Sequence, residues 1–220
     1  MILNRMKSPI VLLLLGSVAA AGALFARSLV IDKPTYLSAL ENSVLDELNL
    51  ARTNPQTYAR ILEDYRKQFQ GRLVKRPGKI DLMTSEGTAA VDEAIRELKG
   101  RKPMQGFRIS RGMSLAAKDH VKDTGPRGST GHSGSDGSKP FDRMNRHGKW
   151  LRSAGENISY GNDEGRAVII QLIVDDAVAG RGHRKNIYNA SFEVVGIACG
   201  PHKVYGTMCV QTFAGDYQEK

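Results

Sequence analysis

The order of patterns along this 220-residue chain predicts an α+β fold, with helices packed on an antiparallel sheet. Apolar residues recur at helical spacing through the first half and again around residue 170. Two strand-like runs separated by turn residues close the chain. No alternation of the βαβ kind is visible, which argues against a parallel doubly wound sheet. The length gives room for one domain with a sizeable core.

The N-terminus has the layout of an export signal. Arg5 and Lys7 form a basic start, residues 10–26 are apolar, and Ala21 and Ala23 give a small-x-small cleavage pattern. Residues 1–23 are therefore expected to be a signal peptide. An uncut membrane anchor is the alternative, because the apolar run is near the short limit for a span. The protein is expected to be secreted or periplasmic, or membrane-anchored if the segment is kept. Cleavage would take away Arg5 and Lys7 and no acid, bringing the net charge from +9 to +7. Such a balance invites anionic lipid, wall polymer or acidic ligands. Nucleic acid is not expected, since export and the absence of interleaved aromatics both oppose it.

A polar lead over 24–42 precedes the folded region, expected at 43–217. Ser43 reads as the N-cap of a first helix with the stripe Val44, Leu45, Leu48, Leu50 and Ala51. Pro55 fits the start of a second, capped by Asn54 or Thr53 and carrying Tyr58, Ile61, Leu62 and Tyr65. Residues 70–84 read as irregular and basic. Ser85 is the expected cap of a helix with Ala89, Ala90, Ala94, Ile95 and Leu98, ending at Gly100. Residues 110–124 form another, in which His120 reads as a packed or surface histidine. Residues 125–139 are a Gly/Ser-rich loop with His132 and Asp136; without the Lys-Ser/Thr ending of a P-loop it is a weak nucleotide motif. Residues 141–150 predict a short helix and turn, and 158–160 a short strand.

A helix follows over 167–178. Asp175 and Asp176 near its C-terminal end oppose the helix dipole, so a cation or the basic turn Arg181 to Lys185 should compensate. The closing strands flank a turn centred on Val204. Cys199 and Cys209 are symmetric about it, so a hairpin would set them opposite each other. An exported chain then favours a cross-strand disulfide, the alternative being two small buried hydrophobes.

His132, Glu156 and His183 are the polar residues that could converge on one cleft. Two imidazoles and a carboxylate suit zinc or another divalent cation, with Glu156 as a ligand or as a partner orienting a histidine. Their spacing is not diagnostic, as HExxH and paired CxxC motifs are absent. The alternative is a hydrogen-bonded network that holds the turns.

GHSGSDGS at 131–138, GENISYG at 155–161 and RGHRKNI at 181–187, in that order before a hairpin, resemble the CAP superfamily of cysteine-rich secretory proteins, antigen 5 and pathogenesis-related class 1 proteins. LDELNLARTNPQTYA at 45–59 is similar to the first helix of its bacterial secreted members, and the resemblance covers about residues 43–215. It implies an α-β-α sandwich with a central cavity holding two histidines and two acids. His132 and His183 match the histidines and Glu156 the acid of the GEN motif. Asp175 or Asp176 is nearest to the second acid, and Asp176 is the preferred match. An aspartate there, and no tryptophan before the GHR turn, depart from the common pattern. The resemblance implies a ligand-binding module for a lipid, an envelope polymer, a protein or a divalent metal. The alternatives are a metal-dependent, peptidase-like hydrolase and a structural envelope protein without a ligand.

Overall fold

The computed structural model describes residues 34–220. The expected signal peptide and most of the lead lie outside the described residues. Helix α1 (Ala39–Thr53) begins ahead of Ser43, so the boundary expected there falls inside a helix. The cause is a capping box: the Ser38 hydroxyl accepts from the Glu41 N–H at 3.2 Å, and the Glu41 carboxylate accepts from the Ser38 N–H at 2.6 Å. Asn54 caps α2 (Pro55–Arg66), with Pro55 at the first helical position.

The stretch read as irregular folds into three two-residue strands, β1 (Phe69–Gln70), β2 (Leu73–Val74) and β3 (Leu82–Met83), in an antiparallel meander. Helix α3 (Thr88–Gly100) starts at Gly87, without a side-chain cap. Ser85, the expected cap, instead donates its N–H to Asp176 at 2.7 Å. β4 (Arg108–Ile109) leads into α4 (Arg111–Thr124), capped by Ser110.

Helix α5 (Pro140–His147) stops before Trp150, and β5 runs from Gly148 to Tyr160, far longer than the predicted strand. The register shifts between Leu151 and Ala154, and Arg152 there has φ 70°. Beyond this bulge Glu156 to Ser159 are all buried because helices cover both faces of the sheet, so no period-2 pattern survives in the sequence. α6 (Gly165–Val174), α7 (Gly182–Ile187), β6 (Val194–His202) and β7 (Gly206–Glu219) complete the chain. The predicted helix over 167–178 therefore ends earlier, at an Asp175 in the left-handed region.

The main sheet has the order β4-β6-β7-β5, with β4 parallel to β6 and the other pairs antiparallel. His202 pairs with Gly206 around Val204, and Cys199 faces Cys209 with a Cα separation of 4.1 Å. The two are disulfide-bonded, as the hairpin symmetry predicts. β7 continues past Phe213, the expected end, because the first half of β5 pairs with it.

Alternation along the strands divides the core. Val195, Ile197, Cys209 and Phe213 pack with α1, α2, α3 and α6. Val194, Ala198, Met208, Val210 and Ala214 pack with α4 and α5 on the other face. This is a helix–sheet–helix sandwich in the α+β class. α4 lies so close to β6 that a Cβ at Gly196 would come within 2.1 Å of the Met113 backbone, which explains the glycine. Among the described residues no helix is long and apolar enough to cross a membrane.

Candidate functional site: two carboxylate-held histidines on one cavity

β5 is an edge strand, and its successive side chains turn to opposite faces of the sheet. Glu156 pairs with Thr212 and shares the face of α4 and α5; Asn157 pairs with Gln211 on the face of α6 and α7. The two histidine-bearing segments are built on these neighbouring positions.

On the first face, the buried Glu156 carboxylate accepts from Arg143 Nη2 at 2.8 Å and meets His132 Nδ1 at 2.9 Å. Arg143 is also buried, and its Nη1 donates to the carbonyls of His132 (3.1 Å) and Ser138 (3.0 Å). The arginine thus neutralises the carboxylate and closes the loop that carries His132. Two further contacts hold that loop. The Gly131 N–H donates to the Tyr160 hydroxyl at 3.0 Å, and the Gly131 carbonyl lies 2.8 Å from His120 Nε2. Burial raises the Tyr160 pKa and lowers that of His120.

On the second face, His183 Nδ1 lies 2.6 Å from Asp175 Oδ1, and the His183 N–H donates to Asp175 Oδ2 at 2.9 Å. Asn157 Nδ2 donates to the His183 carbonyl at 3.0 Å and its Oδ1 accepts from Asn186 at 2.9 Å, which docks α7 on β5. The end of α6 is compensated by the basic turn, as its acids required. Arg184 donates to the carbonyls of Ile173 (2.5 Å) and Val174 (3.1 Å), and Arg181 to that of Asp175 (2.8 Å). Asp175, Ala177 and Arg181 all have positive φ, at 56°, 60° and 54°. The turn is held in this sparsely populated region from outside. Glu86 binds Arg181 and the Ala177 N–H, and Glu93 binds both Arg181 and Arg184. The Arg181 guanidinium lowers the Glu86 pKa to about 2.

The sequence preferred Asp176 as the second acid. The carboxylate on His183 belongs to Asp175. Asp176 also borders the cavity, but its oxygens accept from the Ser85 and Glu86 N–H groups at 2.7 and 2.9 Å. Asp175 takes the histidine because its left-handed backbone, a conformation aspartate tolerates, turns the chain back toward α7.

His132 and His183 both line one cavity of about 750 Å³. Its walls include Ile158 and Tyr160 from β5, Ile170 and Val174 from α6, and Leu82 and Met83 from the small meander. Lys79 bridges from that meander to Asp163 and Glu164, at 2.7 Å each, at the cavity margin. Glu156 sits behind His132, buried to 6 % exposure, rather than among the lining residues.

Both imidazoles present Nδ1 to a carboxylate. An ionised carboxylate only accepts, so Nδ1 carries the proton and the neutral ring keeps a lone pair on Nε2. A divalent-metal centre of the catalytic zinc type takes three protein ligands. Among the described residues no three His, Cys, Asp or Glu side chains are grouped to hold an ion. The donor chemistry explains this, because the Glu156 oxygens are taken by His132 and Arg143. The set His132, His183 and Glu156 does not fit such a centre.

Arg143 and Tyr160 support the site without having been singled out for it in the sequence, and Asp175, the less favoured of the two acids considered there, takes the place expected of Asp176. Arg143 is one of many arginines, and nothing in its local pattern marks it as buried. Tyr160 stands inside the GENISYG motif, which was the available signal.

The chain is 30% identical over 122 residues to the uncharacterized protein YkwD of Bacillus subtilis (strain 168), covering 56% of this chain and 43% of that protein. It thus spans less than half the length of that relative. Among solved structures it is similar to an extracellular protein containing a SCP domain from Bacillus anthracis str. Ames, at 21% identity and a TM-score of 0.43, covering 57% of this chain and 37% of that one. It is also similar to an outer surface protein of Borrelia burgdorferi, at 16% identity and a TM-score of 0.42, covering 52% and 78% respectively. Residues 46–213 match the CAP family model, described as the cysteine-rich secretory protein family, and the chain belongs to that family.

Proposed function

We propose that this chain is an exported ligand-binding module whose cavity takes an amphiphile of the lipid or envelope-polymer class. One observation carries the reading: two imidazoles, each held at Nδ1 by a buried carboxylate, line one cavity with apolar walls. With Nδ1 on its carboxylate, each ring in its neutral form offers Nε2 as an acceptor, so the head of the ligand should donate hydrogen bonds through hydroxyl or amide groups. Ile158, Ile170, Val174 and Leu82 offer an apolar surface for its body. The export signal expected from the sequence and the membership in the cysteine-rich secretory protein family support a place outside the cytoplasm.

Mass spectrometry of small molecules released from the purified protein tests this. An amphiphile recovered from the wild type and lost from His183→Ala supports it; identical profiles from both proteins oppose it.

Hydrolysis is the second reading. A carboxylate-held imidazole is also the arrangement of a general base acting on water. Turnover of an ester or peptide library, lost in the same variant, would favour it over binding alone.

A further inference from the structure

We infer that His120, a fully buried residue of α4, is a positioning residue that sets the tautomer and orientation of His132. The inference does not depend on which ligand the cavity takes.

His120 has no exposed surface, and its Nε2 lies 2.8 Å from the Gly131 carbonyl. A carbonyl only accepts, so Nε2 carries the proton. Nδ1 is then a bare lone pair, and this buried atom has no hydrogen-bond partner. An apolar side chain would fill the same volume without burying an unsatisfied nitrogen. What the imidazole adds is the one N–H directed at Gly131. That residue immediately precedes His132 and has φ +93°, a conformation that favours glycine. Its N–H is held by the Tyr160 hydroxyl, so both polar groups of residue 131 are clamped. Two residues earlier, the Ser129 carbonyl lies 3.1 Å from His202 Nε2, and one residue later the His132 carbonyl accepts from Arg143. The backbone is thus held on both sides of the residue that must bring Nδ1 to Glu156. Protonating His120 would place a charge at an enclosed nitrogen near Arg143 and His132, and its lowered pKa agrees with the neutral form.

The test is nitrogen NMR of histidine-labelled protein, which reports the tautomer of each ring. In the wild type His132 and His183 should both be of the Nδ1–H form. In His120→Leu, His132 should lose that single form and become a mixture with the Nε2–H form, while His183 keeps its signals. In His120→Gln, whose side-chain N–H can reach the same carbonyl, the wild-type His132 signals should return. Tyr160→Phe should shift His132 in the same direction by a smaller amount. An unchanged His132 tautomer in His120→Leu would overturn the inference. So would its loss in His120→Gln with His183 intact, which is the deciding measurement if the leucine variant does not fold.

Discussion

Glu156 and Asn157 are neighbours on β5 and serve opposite faces of the sheet: Glu156 binds His132, and Asn157 holds the His183 carbonyl. The pleat of one strand therefore separates and organises the two histidine segments. The cavity they share lies where the end of β5 meets α6, and its chemistry depends on β5 keeping its register.

Glu156 and Arg143 form a buried ion pair in which each is 1 % exposed at the side chain. Removing one partner strands the other charge. Glu156→Gln or Arg143→Met should each cost about 3–5 kcal/mol of unfolding free energy, and the double variant less than the sum. Urea titration of the three variants measures the coupling. Strict additivity would show that the pair does not act as a unit.

Asp175 and Asp176 make a sharper pair for mutation. Asp175→Asn keeps a residue that tolerates the left-handed backbone but replaces the anion beside His183. It should remove the fixed Nδ1–H tautomer of His183 and weaken ligand binding about tenfold or more. Asp176→Asn should leave that tautomer intact and cost roughly 1–2 kcal/mol through the Ser85 and Glu86 N–H groups. NMR of the His183 ring alongside thermal melts separates the two. The opposite assignment of effects would return the site role to Asp176.

These two aspartates also mark how far the sequence could be read. The helical stripes, the order of the motifs and the symmetry of Cys199 and Cys209 about Val204 were legible because each is a local pattern. The choice of Asp175 over Asp176 was not, because it depends on a left-handed residue that ends α6 early. The length of β5 was hidden because Glu156 to Ser159 are buried on both faces of the sheet, which leaves no alternation to read. Arg143 was invisible for a different reason: its partners lie 11 and 13 positions away, on a loop and an edge strand.

The Cys199–Cys209 bridge closes a short loop, ten positions apart. Chain-entropy reasoning assigns such a loop a contribution of about 2–3 kcal/mol. Reduction, or the double alanine variant, should lower the unfolding free energy by about that amount while the β6–β7 hairpin persists. Denaturation with and without reductant measures it, and equal curves would show that the bridge contributes no net stability.

His120 and several paired carboxylates, Glu86 among them, contribute to the response to acid. Burial lowers the His120 pKa from its ordinary 6.5. The unfolded chain therefore binds this proton first, so the contribution is present above about pH 6.5 and is lost as pH falls through the folded value. Glu86 is held at about 2 rather than 4.5, so its contribution is present above pH 4.5 and is lost on the way toward pH 2. Melting temperatures from pH 8 to pH 3 should be flat at first and then fall in two stages. His120→Gln should remove the upper stage alone. An unaltered upper stage in that variant would assign it to another group.

The central claim is that His132 and His183 serve one bound molecule in one cavity. The most direct measurement is fluorescence titration with a monoacylglycerol-type probe, which joins an apolar chain to a hydroxyl-bearing head. The account predicts saturable binding to the wild type, weakened at least about tenfold in both His132→Ala and His183→Ala, the loss of one hydrogen bond to a desolvated head. Equal affinity in the wild type and both variants would contradict it.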